Sequence, residues 1–131
     1  MSSSLSIEYF AEGSADAPLV LIYGYDIPSA RELFHAIRSL RDGREDSISV
    51  HTLPGYSGIQ NLELIFQLKE KDEGVVLFGN LQFACGLTSD GWDNVEARLA
   101  PFCDRYASPG SFQWLDTSSK ISLLFSTDRG W

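Results

Sequence analysis

The chain has 131 residues, and its 18 Asp and Glu against 10 Lys and Arg give a formal charge of −8. That balance, with no basic run, excludes nucleic acid and anionic membrane surfaces as default ligands, since both reward clustered Lys and Arg. A hydrophobic content of 44% excludes a disordered chain, no apolar run reaches the roughly 20 residues of a membrane-spanning helix, and the length suits one domain over residues 1–131.

Leu5, Ile7 and Tyr9 alternate with Ser4, Ser6 and Glu8, the period of a half-buried strand. A polar turn over 11–18 leads to the continuous apolar run Leu19–Tyr25, which suits a central strand covered on both faces. Asp26 is placed to cap a helix with Pro28 in its first turn. Ile27, Ala30, Leu33, Phe34, Ile37 and Leu40 make the apolar stripe of that helix, and Gly43 stops it. Ile48–Leu53 and Leu62–Lys69 then read as strands joined by Pro54-Gly55-Tyr56-Ser57-Gly58.

The charged stretch Lys69–Gly74 separates this half from a second one. Val75–Phe78 and Leu81–Leu87 flank Gly79-Asn80, a pair typical of tight hairpins. Thr88 or Ser89 caps a helix carrying Trp92, Val95, Leu99, Phe102 and Tyr106, which Pro101 should kink or end. Phe112–Leu115 and Lys120–Ser126 close the chain around the turn Asp116–Ser119.

The halves resemble one another. Leu19, Gly24, Leu33, Ile37, Leu40 and Leu53 match Leu81, Gly86, Val95, Leu99, Phe102 and Leu115 at a constant offset of 62, and Leu62–Phe66 match Ile121–Phe125 at 59. This predicts an α+β fold: a single domain from an internally duplicated β-β-α-β-β unit (pseudo-repeats 4–70 and 74–131). Its strands would make an antiparallel sheet or half-barrel, with the two helices packed on one face.

No reaction motif stands out. His35 and His51 lie in different elements without a nearby thiol, and no calcium loop occurs, so no metal site is expected. His35 falls on a solvated helix face, and His51 is expected to fill a structural polar position. Gly55-Tyr56-Ser57-Gly58-Ile59 lacks the second glycine and the strand-to-helix context of a nucleophile elbow. No glycine-rich phosphate loop is present, so neither a cofactor nor a catalytic residue is assigned. Asp26, Asp90, Asp93 and Asp116 are explained by caps and turns. Two cysteines, Cys85 and Cys103, and an N-terminus without a basic or apolar leader segment point to a reducing cytoplasm with free thiols.

The aromatics say more. Tyr and Trp anchor protein interfaces, and Tyr25 and Trp131 sit at element ends, Tyr56 at a hairpin tip; Trp92 begins an apolar helix face and belongs to the core. Leu87–Val95, Phe112–Asp116 and the terminal Gly130-Trp131 resemble the C-terminal part of small bacterial proteins of unassigned function, over about the last 45 residues. The acidity resembles that of immunity proteins that neutralise toxins. The expected function is a non-enzymatic, cytoplasmic protein-binding module of acidic immunity or inhibitor type, its partner a basic protein or a second copy of the chain. Its candidate contacts are Tyr25, Asp26, Tyr56 and Trp131. Carboxylates at Asp42, Glu45, Asp46, Glu70, Asp72 and Glu73 would steer the partner. The alternative is a small-molecule-binding or enzymatic domain using a groove between the halves.

Overall fold

The computed structural model describes residues 4–12, 18–104 and 110–129. Among these, the order is β1 (Leu5–Phe10), β2 (Leu19–Tyr23), α1 (Ile27–Arg41), β3 (Ser47–Ser49), β4 (Tyr56–Gly58), β5 (Glu63–Leu68), β6 (Gly74–Gly79), β7 (Gln82–Leu87), α2 (Ser89–Leu99), β8 (Phe112–Asp116) and β9 (Ser122–Ser126). Short 3-10 turns follow β3, β4 and α2. The fold is α+β, and its described residues form two helices and two sheets.

Both helices begin and end for the expected reasons. Asp26 adopts extended backbone and its carboxylate accepts from the Ser29 N–H at 3.0 Å, with Pro28 in the first turn. Arg38 and Arg41 occupy the last turn, and Gly43 leaves it at φ +76°. Thr88 caps α2 by accepting from Gly91 N–H at 3.1 Å, and Pro101 follows its end inside a 3-10 turn. Leu33, Ile37 and Leu40 of α1 and Trp92, Val95 and Leu99 of α2 are buried in one core.

The strands form a first sheet, ordered β4-β1-β2-β9-β8, and a second sheet, ordered β3-β5-β7-β6. The sheets are mixed, not wholly antiparallel as expected. β2 pairs with β9 and β5 with β7 in parallel, and β4 lies parallel to β1. The first half sends β3 and β5 beside β6–β7, and the second half sends β8 and β9 beside β1–β2; a parallel pair needs such a crossover. Fully buried Leu19–Ile22 is therefore flanked on both edges, as its apolar run requires. The inward faces of both sheets share the core with α1 and α2, where Phe66 packs on Trp92 at 4.7 Å and Phe102 on Phe125 at 4.8 Å.

A Val75–Ile121 bridge links β6 to the start of β9. The two sheets share one plan: hairpin β1–β2 lies beside β9–β8 in the first, hairpin β6–β7 beside β5–β3 in the second. A sequence repeat of the expected spacing is nevertheless not confirmed. The offset of 62 joins buried helix residues, Leu33 to Val95 and Ile37 to Leu99. In the sheets it fails, because Val20 opposite Leu123 corresponds to Phe83 opposite Leu64.

Two local expectations are also corrected. The strand expected over Ile48–Leu53 ends at Ser49, and Val50–Thr52 coils into a 3-10 turn. There the His51 ring stands in for a backbone partner: Leu64 N–H donates to its Nδ1 at 3.1 Å. Released from pairing with β5, the chain turns back and Tyr56–Gly58 pairs with β1 instead. The β6–β7 turn lies at Asn80–Leu81, one residue later than expected, because a bulge between Leu77 and Gly79 lengthens β6. Leu81 takes φ +55° there.

Candidate functional site

Three expected contacts gather at the start of α1, and two of them serve the fold. Tyr56 is only 6% exposed, not the open hairpin tip expected. Its hydroxyl donates to the Ser29 carbonyl at 2.7 Å, and burial pushes the phenol well above its ordinary pKa. Gly55, at φ +87°, lets the loop close on α1: a Cβ there would lie 2.3 Å from Ser29 Oγ. Asp26 spends its carboxylate on the Ser29 N–H and hydroxyl. Tyr25 is 46% exposed at the lip of a crevice between α1 and Phe125, with about 10 Å³ of free space, room for about one water. Trp131 lies outside the described residues.

The expected steering carboxylates meet at one end of the second sheet. Leu68 N–H donates to the Asp46 carbonyl at 2.9 Å, which brings the 42–46 loop against the 69–73 loop. Asp72 is partly committed, accepting from the Thr88 N–H at 2.8 Å and hydroxyl at 2.9 Å. Asp42 pairs with Arg41 at 3.0 Å, and that guanidinium holds its carboxyl below the usual range. Arg41 also reaches Glu96 at 2.9 Å, tying α1 to α2.

Beside α2 a polar cleft of about 210 Å³ is lined by Asp72, Asn94, Arg98 and Asp116. Its groups are engaged: Arg98 donates to the Leu115 carbonyl at 3.0 Å, and buried Asp116 accepts from the Ser118 hydroxyl at 2.9 Å. Among the described residues no group of three or more His, Cys, Asp or Glu is placed to hold a metal, and no helix is long and apolar enough to cross a membrane. Both thiols are free. Burial pushes Cys85 well up and Cys103 to about 11, so neither carries much thiolate at neutral pH.

The outward faces of the two sheets differ sharply. On the first, Leu19, Leu21 and Leu124 are fully buried, with Phe10, Tyr23 and Trp114 packed around them. Arg129 lies over the Phe10 ring and grips Glu8 through both carboxylate oxygens, at 3.1 and 3.0 Å, while Tyr23 donates to Glu8 at 3.1 Å. The Arg129 contact holds the Glu8 carboxyl below its ordinary value, against the opposing effect of burial.

On the second sheet the rung matching Leu21–Leu124 is Ala84–Ile65, and the face is open. A trough of about 300 Å³ runs over Ala84 and Gly86 of β7, between Ile65 and Gln67 of β5 and Val76 and Phe78 of β6. Lys69 and Glu73 close one end across Gly86, where a Cβ would meet Lys69 Cγ at 2.8 Å. Val76, Leu77 and Phe78 are 48%, 46% and 54% exposed. A sequence reading misses this site because Val75–Phe78 looks like core. The available signal is the small pair Ala84 and Gly86 at alternate positions of a central strand, where bulky side chains are usual.

Compared with protein families, curated proteins and solved structures, the chain matches none.

Proposed function

We propose that the chain is a non-enzymatic, cytoplasmic protein-binding module of acidic inhibitor or immunity type, and that it binds through the outward face of its second sheet. The observation that carries this reading is the pair of exposed apolar side chains Val76 and Phe78, which line an open trough on that face. An apolar patch kept in water marks a contact surface more often than chance exposure does. The net charge of −8 supports it, because carboxylates in the 42–46 and 69–73 loops at the end of the same sheet would speed the approach of a basic protein.

The test is affinity capture from native lysate with the wild type and with Phe78→Glu, followed by association kinetics at two salt concentrations. The reading expects a protein rich in Lys and Arg that the variant loses and whose association rate falls with salt. Equal capture by both chains would contradict it. The alternative, a small-molecule-binding domain, draws its support from the Asp72–Arg98–Asp116 cleft and not from a groove between halves. It expects a thermal shift with a metabolite that Arg98→Ala abolishes.

A further inference from the structure

We infer that β6 pairs edge to edge with β6 of a second copy of this chain, antiparallel, about a twofold axis at Leu77. The inference rests on the reading of this face as a protein contact and names the partner at its margin.

Among the described residues the outer edge of β6 is open, and at one place. Val75 N–H donates to Ser119 Oγ at 3.0 Å, and the Val75 carbonyl accepts from the same hydroxyl at 2.9 Å. The outward groups of Val75 are thus already covered. Strand alternation aims the N–H and carbonyl of Leu77 toward the same edge. In the first sheet the matching position is β1, and there a fifth strand, β4, lies along the outer edge. Among the described residues the second sheet stops at β6, with four strands. A strand is what the edge fits.

Charge selects the occupant. Gly74–Ser89 contains no charged residue in a chain of net charge −8. Edge strands of monomers usually carry Lys, Pro or inward charges that block pairing. β6 has only its bulge after Leu77. A basic partner finds no carboxylate along the strand itself, whereas a second copy meets it without setting acid against acid. Antiparallel pairing centred on Leu77 would put the two Glu73 residues about 27 Å apart at 3.4 Å per residue, several times the Debye length of about 8 Å. Parallel pairing would set them side by side.

The same register would set Val76 of one copy beside Phe78 of the other, twice, on the outward face. Such aromatic–β-branched cross-strand pairs are favourable. The symmetry is isologous and closes at two chains. With few backbone bonds available, the dimer would be weak and concentration-dependent.

The experiment is sedimentation equilibrium of the full chain from about 10 μM to about 1 mM, a range that brackets a weak complex, with amide exchange at Leu77 followed over the same series. The inference expects the mean mass to climb toward twice the monomer's and Leu77 exchange to slow as it does. Leu77→Lys and Val76→Lys should stay monomeric at every concentration with unchanged melting temperatures. A wild type that remains monomeric throughout, or variants that dimerise like the wild type, would overturn it. A monomeric chain whose captured partner still depends on Phe78 would remove the second copy and leave the protein-contact reading standing. A monomeric chain with capture indifferent to Phe78 would remove both.

Discussion

Replacing His51 by Leu should destabilise the chain through one identifiable atom. The Leu64 N–H donates to His51 Nδ1 at 3.1 Å, at the point where β3 has ended and no strand remains to accept it. Leucine offers no acceptor, and a strand N–H left without a partner costs about 1–3 kcal/mol. For a domain of this size that corresponds to a fall of roughly 3–12 °C in melting temperature. Asparagine at 51 restores a carbonyl at about the distance of Nδ1 and should recover at least half of the loss. Thermal unfolding of the three chains measures the cost, and amide exchange at Leu64 assigns it. An unchanged melting temperature in His51→Leu, with Leu64 still protected, would refute the reasoning.

Tyr56→Phe removes the buried hydroxyl that donates to the Ser29 carbonyl and should lower stability by about 1–2 kcal/mol, read in a denaturation midpoint; partner capture should not change, because the ring is buried. The Arg129 contact lowers the Glu8 pKa below its ordinary value of 4.5, so its contribution is present above that pH and fades as pH falls through the lower folded value. Acid titration of Glu8→Gln should therefore show a flatter loss of stability below about pH 4 than the wild type. Thiol reagents at neutral pH should label Cys103 slowly and Cys85 only on unfolding, and reductant should leave the melting temperature unchanged; rapid labelling of Cys85 would show that its burial is misjudged.

The parts legible in the sequence are those governed by local rules. Asp26 and Thr88 cap where Asp and Thr cap, Gly43 and Pro101 end their helices, and Leu33, Ile37, Val95 and Leu99 face the core at helical spacing. The continuous run Leu19–Ile22 announces a strand with neighbours on both sides. What escapes is set by pairing across the chain. β9 beside β2 and β5 beside β7 are crossovers between distant segments, and apolar pattern alone does not say which neighbour an apolar strand will take. The three-residue β4 pairs with β1 after the chain has left β5 at His51, whose ring takes the place of a backbone partner, a contact no periodicity records. Tyr56 shows the converse error: a Gly-rich loop suggests exposure, yet Gly55 allows that loop to fold flat against α1. Val76–Phe78 reads as core because hydrophobicity reports a preference for burial, not the identity of whatever provides it.

The central claim, that the outward face of the second sheet is a protein contact, is tested most directly by a photo-reactive benzoyl-phenylalanine placed at Phe78 and, as a control, at exposed Ala97 on α2, with illumination in native lysate. The account predicts a discrete protein adduct from position 78, including one at twice the monomer mass where the chain is abundant, and none from position 97. Adducts from position 97 with none from position 78 would contradict it.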